Sequence, residues 1–196
     1  MDIKTIFVDF SGVLYLFIEK QKKYHPDNYL KSLGISDKDV NEWERKLNLG
    51  EVNSTTYWKK FLSQYSISED QYQKHCQMFI DSHELNQPLI NFLKTQKKEF
   101  KIGLISNYHD LLRPMLENKL KIADIFDDIV ISAEVKLIKP DEAIYKLALQ
   151  RLQVKPQEAI FVDDLLENVQ AAAQLGIHAI QFKNNEQVIS EIKQLL

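Results

Sequence analysis

The chain has 196 residues, 44% hydrophobic and 27% charged, with a formal net charge of −3 and one cysteine. That length suits one domain, or one domain with a sizeable insertion, and the mild negative charge offers nucleic acid no basic surface. No apolar run approaches the roughly 18 residues that span a bilayer. The N-terminal MDIKTIFVDF lacks the length and cleavage site of a signal peptide, so a cytoplasmic protein without membrane attachment is expected.

The first predicted element is a strand over 3–9, where Ile6, Phe7 and Val8 form an apolar run closed by Asp9. Residues 15–90 carry no convincing strand and few glycines or prolines; helix signals recur instead. SDKDVNEWERKL, STTYWKKFLSQY and SEDQYQKHCQMFI each begin with a serine (Ser36, Ser54, Ser68) placed to cap free backbone N–H groups, followed by apolar residues at helical spacing. Cys76 lies in the third of these and reads as a packed side chain rather than a nucleophile.

Beyond NQPLINFLKTQKK the pattern alternates. Strands are predicted at 101–106 (KIGLIS), 126–132 (FDDIVIS), 159–164 (AIFVDD) and in HAIQF. Helices are predicted near DLLRPMLENKL, in DEAIYKLALQRL and in LENVQAAAQL, the last ended by Gly176. Such alternation implies parallel strands joined by right-handed crossovers. The expected fold is α/β: a doubly wound parallel sheet built from 1–14 and 91–196, with an all-helical cap at 15–90 inserted after the first strand. Ligands of such sheets bind beyond the carboxyl ends of the strands, where the insert would act as a lid.

Each predicted strand ends in polar residues. Asp9 closes the first, Ser106 and Asn107 the second, and the Asp163–Asp164 pair that of 159–164. Lys139 stands between them, directly before Pro140 and a helix. Each piece alone has a plain reading as a turn, a cap or a helix start. Together they make an economical phosphate-and-metal site. Asp9 suits nucleophilic attack on phosphorus, giving an aspartyl-phosphate. The crowded negative charge calls for a hard cation such as Mg²⁺, with Asp9 and Asp164 as direct ligands and Asp163 acting through a water. Ser106 and Asn107 offer donors to phosphate oxygens, and Lys139 a fixed positive charge. Phosphoryl transfer needs mainly positioning and charge stabilisation, and this set supplies both.

These residues resemble the motifs of the haloacid dehalogenase-like hydrolase superfamily. FVDFSGVL is similar to its first motif, ISN to its second, KPDEAIY to its third and FVDDLLENVQAA to its fourth, and the resemblance covers the whole chain. The nearest branch is that of small phosphatases with a helical cap: LNLGEVNSTTYW is similar to cap segments of sugar phosphatases and of the phosphatase domain of soluble epoxide hydrolases. The resemblance implies that Asp9 is the nucleophile. It further implies that Ser11 gives its backbone carbonyl to Mg²⁺, that Ser106 and Lys139 take the second- and third-motif roles, and that Asp163 and Asp164 form the acidic pair. Ser11 is a departure, because phosphatases of the family usually carry there an Asp that protonates the leaving group and activates water. A serine keeps the carbonyl but supplies no readily transferred proton. General acid–base help is typically worth about 10²–10⁴-fold.

The leading reading is a Mg²⁺-dependent phosphomonoesterase acting on a small phosphorylated metabolite, sugar phosphates among the candidates. A phosphometabolite-binding or regulatory protein with a weakened site is the alternative. A 2-haloacid dehalogenase ranks lower because the family's dehalogenases lack the acidic pair kept here, and a phosphomutase ranks low because it depends on acid–base exchange at position 11. Tyr15, Phe17, His25, Trp43, Tyr57 and Trp58 are candidates to line a pocket, although aromatic residues at helical spacing usually pack as core. His25 is also a candidate replacement acid, and an exposed aromatic cap face would suit a homodimer interface.

Overall fold

The computed structural model describes residues 2–18, 29 and 31–196. Five parallel strands form the central sheet: β1 (Thr5–Val8), β4 (Lys101–Ser106), β5 (Asp128–Ile131), β6 (Ala159–Asp163) and β7 (His178–Gln181). Their order is β5-β4-β1-β6-β7, so the chain winds outward from β1 in both directions, as a doubly wound sheet does. β1 is buried throughout because it is central and helices cover both faces.

The faces are separated by side-chain alternation. Ile6 and Val8 join Leu104, Ile160 and Val162 on one face, under α4 (Gln87–Gln96) and α9 (Asn185–Leu195). Phe7 joins Ile105 and Phe161 on the other, under α7 (Glu142–Leu152) and α8 (Leu166–Gln174). Gly103 pairs with Phe7 across the β1–β4 ladder. A Cβ there would lie 2.4 Å from the Phe7 ring, so the large side chain needs the glycine beside it.

The segment expected to be wholly helical contains two short strands. β2 (Tyr15–Phe17) and β3 (His83–Leu85) pair antiparallel, Tyr15 opposite Leu85 and Phe17 opposite His83. They form a two-stranded stem at the points where the chain leaves and re-enters the sheet layer. Asn86 secures its base: its side chain donates to the Val13 carbonyl (2.8 Å) and its backbone N–H to the Leu14 carbonyl (2.9 Å).

Between β2 and β3 lie α1 (Asp37–Asn48), α2 (Ser54–Gln64) and α3 (Glu69–Asp81). Ser36 caps α1, and Ser68 caps α3 in a reciprocal capping box with Gln71. The cap of α2 is Asn53, not Ser54; its side chain accepts the Thr56 N–H at 2.8 Å. α1, α2 and the turn before α1 share a small core of Ile35, Leu47, Tyr57 and Phe61.

The helix expected near DLLRPMLENKL is a single α-turn, α5 (Leu112–Pro114), that widens into a π-helical turn at Met115–Lys119. Pro114 has no N–H for an ordinary helical bond. A further short helix, α6 (Ser132–Val135), follows β5. Among the described residues, no helix is long and apolar enough to cross a membrane.

Candidate active site

Strand register assembles the site. Val8 pairs with Val162 across β1–β6, so Asp9 and Asp163, the next residues, arrive at the same level. The Asp9 N–H donates to the Val162 carbonyl at 2.9 Å. Val8 also pairs with Leu104, which sets Ser106 two residues further on at the neighbouring strand end.

Lys139 reaches between the two carboxylates. Its Nζ lies 2.9 Å from Asp9 Oδ1 and 2.6 Å from Asp163 Oδ2. All three residues are buried. Asn107 sets the lysine's backbone: its Nδ2 donates to the Lys139 carbonyl at 2.9 Å, and its Oδ1 accepts the Lys139 N–H at 2.8 Å. Its side chain is thus engaged as a brace, which makes its backbone N–H the better candidate donor to a phosphate.

Asp163 is held on every side. Besides Lys139, it accepts the Leu165 N–H at 2.8 Å and the Asn168 amide at 3.1 Å on each oxygen. Asp164 turns toward the loop after Asp9: a Cβ on Gly12 would lie 2.3 Å from Asp164 Oδ2, and Gly12 has φ +75°. The glycine at this position lets the carboxylate approach the loop backbone.

Asp9, Asp163 and Asp164 each offer a carboxylate oxygen, all within 4.8 Å of one another. Three carboxylates face one lysine, an excess of two negative charges if all are ionised. Burial pushes the Asp9 carboxyl up to about 6 against the pull of Lys139, with the Asp163 charge adding to the rise. Burial and Asp163 likewise raise Asp164. Carboxylates destabilised in this way, with oxygen donors clustered in reach, are suited to a hard divalent cation. The Ser106 hydroxyl is buried and has no hydrogen-bond partner. A buried polar atom left unpaired is costly, and its position beside the carboxylates suits an oxygen of an incoming anion. The residues therefore fit both a cation and a phosphoryl group.

Ser11 is exposed. It borders a cavity of about 580 Å³, between the sheet edge and α1–α3, that is also lined by Asn107, Tyr108 and His109. The helical layer meets the loop after β4 directly: the Ser54 N–H and hydroxyl donate to the two Asp110 oxygens at 3.0 and 3.1 Å. Burial lowers the His109 pKa, and its Nδ1 accepts the Leu111 N–H at 3.4 Å.

Of the aromatic residues singled out in the sequence, Tyr57 and Trp58 border this cavity. Tyr15 is buried and stacks on Phe10 at 5.2 Å. Phe17 stands in the stem, and Trp43 packs edge-on against Tyr57 at 5.5 Å. His25 lies outside the described residues. Cys76 is half-buried at the cavity wall, and burial pushes its thiol up, away from the thiolate form. Asn168, Tyr108, His109 and Asp110 have no role in the sequence reading. Only Asn168 carries a signal there, as a poor helix former within the first turn of a helix.

The model of the family described as haloacid dehalogenase-like hydrolase matches residues 3–176. The chain belongs to the haloacid dehalogenase-like hydrolase family. Acyl-CoA dehydrogenase family member 10 of Mus musculus is 46% identical over 71 residues, covering 36% of this chain and 7% of the mouse protein. Bifunctional epoxide hydrolase 2 of Rattus norvegicus is 26% identical over 122 residues, 58% of this chain and 22% of the rat protein. The chain thus spans less than a quarter of these two curated relatives. D-ribitol-5-phosphate phosphatase of Bacteroides thetaiotaomicron is 24% identical over 215 residues, covering 99% of this chain and 98% of that one.

Solved structures share the fold of this hydrolase family. A predicted hydrolase of the family from Porphyromonas gingivalis superposes with a TM-score of 0.82 at 20% identity, covering 100% of this chain and 98% of its own. A wild-type family enzyme from B. thetaiotaomicron, in complex with magnesium and inorganic phosphate, gives 0.73 at 19% identity, with 92% and 94% covered.

Proposed function

We propose that the protein is a Mg²⁺-dependent phosphomonoesterase acting on a small phosphorylated metabolite. One observation carries the reading: Asp9, held against Lys139 at 2.9 Å, shares a buried corner with two further carboxylates and the unpartnered Ser106 hydroxyl. That corner has a nucleophile, oxygen donors for a cation and a donor for an anion. The relatives support it, one being a D-ribitol-5-phosphate phosphatase by name and another a family enzyme bound to magnesium and phosphate.

In this reading Asp9, Asp164 and the Ser11 carbonyl hold Mg²⁺ directly, and Asp163 acts through a water. When bound, the ion neutralises the phosphoryl oxygens and screens them from the carboxylates. Asp9 attacks phosphorus. Ser106 and the Asn107 backbone N–H receive the phosphoryl oxygens. Lys139 steadies the Asp9 charge, and Asp163 and Asn107 position that lysine. The excursion between β2 and β3 serves as the cap over the strand ends and selects the substrate, while residues 87–90, included in the expected cap of 15–90, pack on the sheet as the start of α4. Ser11 leaves the site without the family's usual acid.

The deciding experiment is hydrolysis of p-nitrophenyl phosphate by wild type and Asp9→Asn, with Mg²⁺ and with EDTA. The expected result is turnover that requires both Mg²⁺ and Asp9. Full Mg²⁺-dependent turnover by Asp9→Asn would sink the mechanism.

A further inference from the structure

The cavity that begins at Ser11 and Asn107 has a marked chemical character. Among the described residues nineteen line it: eleven are apolar or aromatic, among them Trp58, Phe79, Tyr108 and Leu111, and eight are polar or charged, among them Glu44 and Lys119. Its volume of about 580 Å³ lies within the range of sites for small organic ligands. Ile80 and Leu111 border it from α3 and from the loop after β4. They are 36% and 47% exposed and belong to the few large apolar side chains that the described structure leaves open to water. Polyol hydroxyls set against Trp58, Phe79, Ile80 and Leu111 would meet no polar side chain on that stretch of the wall. A flat apolar body would instead remove aromatic and aliphatic surface from water.

The junction between cavity and phosphate site adds a second constraint. Ser11 is exposed at the mouth of the cavity, two residues after Asp9, where the family resemblance sets the proton donor, and its hydroxyl does not ionise near neutral pH. A phenol has a pKa of about 10, against about 16 for water, the analogue of a simple alcohol. A phenolic oxygen therefore departs with far less need of a proton. We propose that the substrates are aryl phosphates, phosphate monoesters whose apolar ring fills this cavity and whose phenolic oxygen leaves past Ser11.

This rests on the phosphomonoesterase reading and narrows it. An Asp9 carboxylate oxygen forms a bond to phosphorus as the ester P–O bond breaks, and the electron pair leaves on the aryl oxygen. The resulting phenolate takes its proton from water. A second water then attacks phosphorus, regenerating the Asp9 carboxylate, releasing inorganic phosphate and passing its proton to solvent.

The test compares kcat/KM for three esters with Mg²⁺: 1-naphthyl phosphate, 1-naphthylmethyl phosphate and ribitol 5-phosphate. The first two share an apolar body and differ in leaving group, and the third replaces the body with a polyol. The expected order is naphthyl first by at least 100-fold over naphthylmethyl, with ribitol 5-phosphate last. Ser11→Asp should narrow the ratio between the two naphthyl esters at least tenfold. Leu111→Ser, at an exposed position that folding tolerates, should raise KM for 1-naphthyl phosphate about tenfold while inhibition by inorganic phosphate stays unchanged. Ribitol 5-phosphate matching or exceeding 1-naphthyl phosphate would overturn the proposal alone, as would a naphthyl ratio unmoved by Ser11→Asp. No Mg²⁺-dependent turnover of any ester would overturn the phosphomonoesterase reading as well.

Discussion

Lys139 and Asp163 form a fully buried ion pair at 2.6 Å, and the same ammonium lies 2.9 Å from Asp9. One cation serves two carboxylates. Removing one member of a buried pair costs about 3–5 kcal/mol because the remaining charge is left uncompensated. Lys139→Met should therefore lower stability by that order and abolish turnover. Added Mg²⁺ should recover part of the stability, since a divalent ion answers the same charge. Urea midpoints with and without Mg²⁺ test this, and a midpoint equal to wild type would contradict it.

Burial raises Asp9 to about 6, against about 3.9 in an unfolded chain. The metal-free fold thus holds this proton more tightly than the unfolded chain does. Its stabilising effect is complete below pH about 4 and is lost as pH rises through about 6. Mg²⁺ competes with the same proton, so its apparent affinity should be about tenfold weaker at pH 5 than at pH 7. Calorimetric titration at the two values measures it. A pH-independent affinity would rule out Asp9 as the group in competition.

Gly12 stands where a Cβ would meet Asp164 Oδ2 at 2.3 Å, with φ +75°. Gly12→Ala should displace that carboxylate and weaken Mg²⁺ binding about 10–100-fold, the range for disturbing groups around a metal site. A cost of about 1–2 kcal/mol is expected for the left-handed backbone. The dependence of melting temperature on Mg²⁺ concentration separates the two effects, and an unchanged dependence would show that Asp164 is not a ligand.

Asp110 accepts two hydrogen bonds from Ser54 and so ties the start of α2 to the loop after β4. Asp110→Ala should cost about 1–3 kcal/mol at this contact and free the helical layer locally. Hydrogen exchange should quicken in Ser54–Gln64, while Lys101–Ser106 stays protected. Equal quickening in both would point to global destabilisation instead.

Several parts of this architecture are legible in the chain and others are not, for physical reasons. β1, β4 and β6 appear as apolar runs because central strands are buried on both faces. β2 and β3 stay hidden: YLF and HEL are too short to display a period, and their pairing across a long helical excursion is a tertiary fact. Ser36 and Ser68 announce their helices. Ser54 misleads, because Asn53 before it takes the capping role and frees the serine to reach Asp110. Pro114 marks a helical irregularity without saying that it becomes a π-turn.

At the site, the polar residues that close the strands are visible one by one, whereas the register that sets Asp9 beside Asp163 comes only with the sheet. Asn107 reads as a phosphate donor, yet its amide spans the backbone of Lys139, a contact 32 residues away in sequence.

The β2–β3 stem has a wider consequence. Because Tyr15 and Leu85 are partners, everything between them is topologically a side excursion from the sheet. The entropy of closing such an excursion grows only logarithmically, by about 0.6 kcal/mol for each doubling of length. The intervening helices can therefore lengthen, shorten or be exchanged at little cost to the strands that carry Asp9 and Asp163. The wall that α1–α3 give the cavity can thus be rebuilt while Ser11, Asn107 and Leu111 keep the opposite wall in place beside the strand ends.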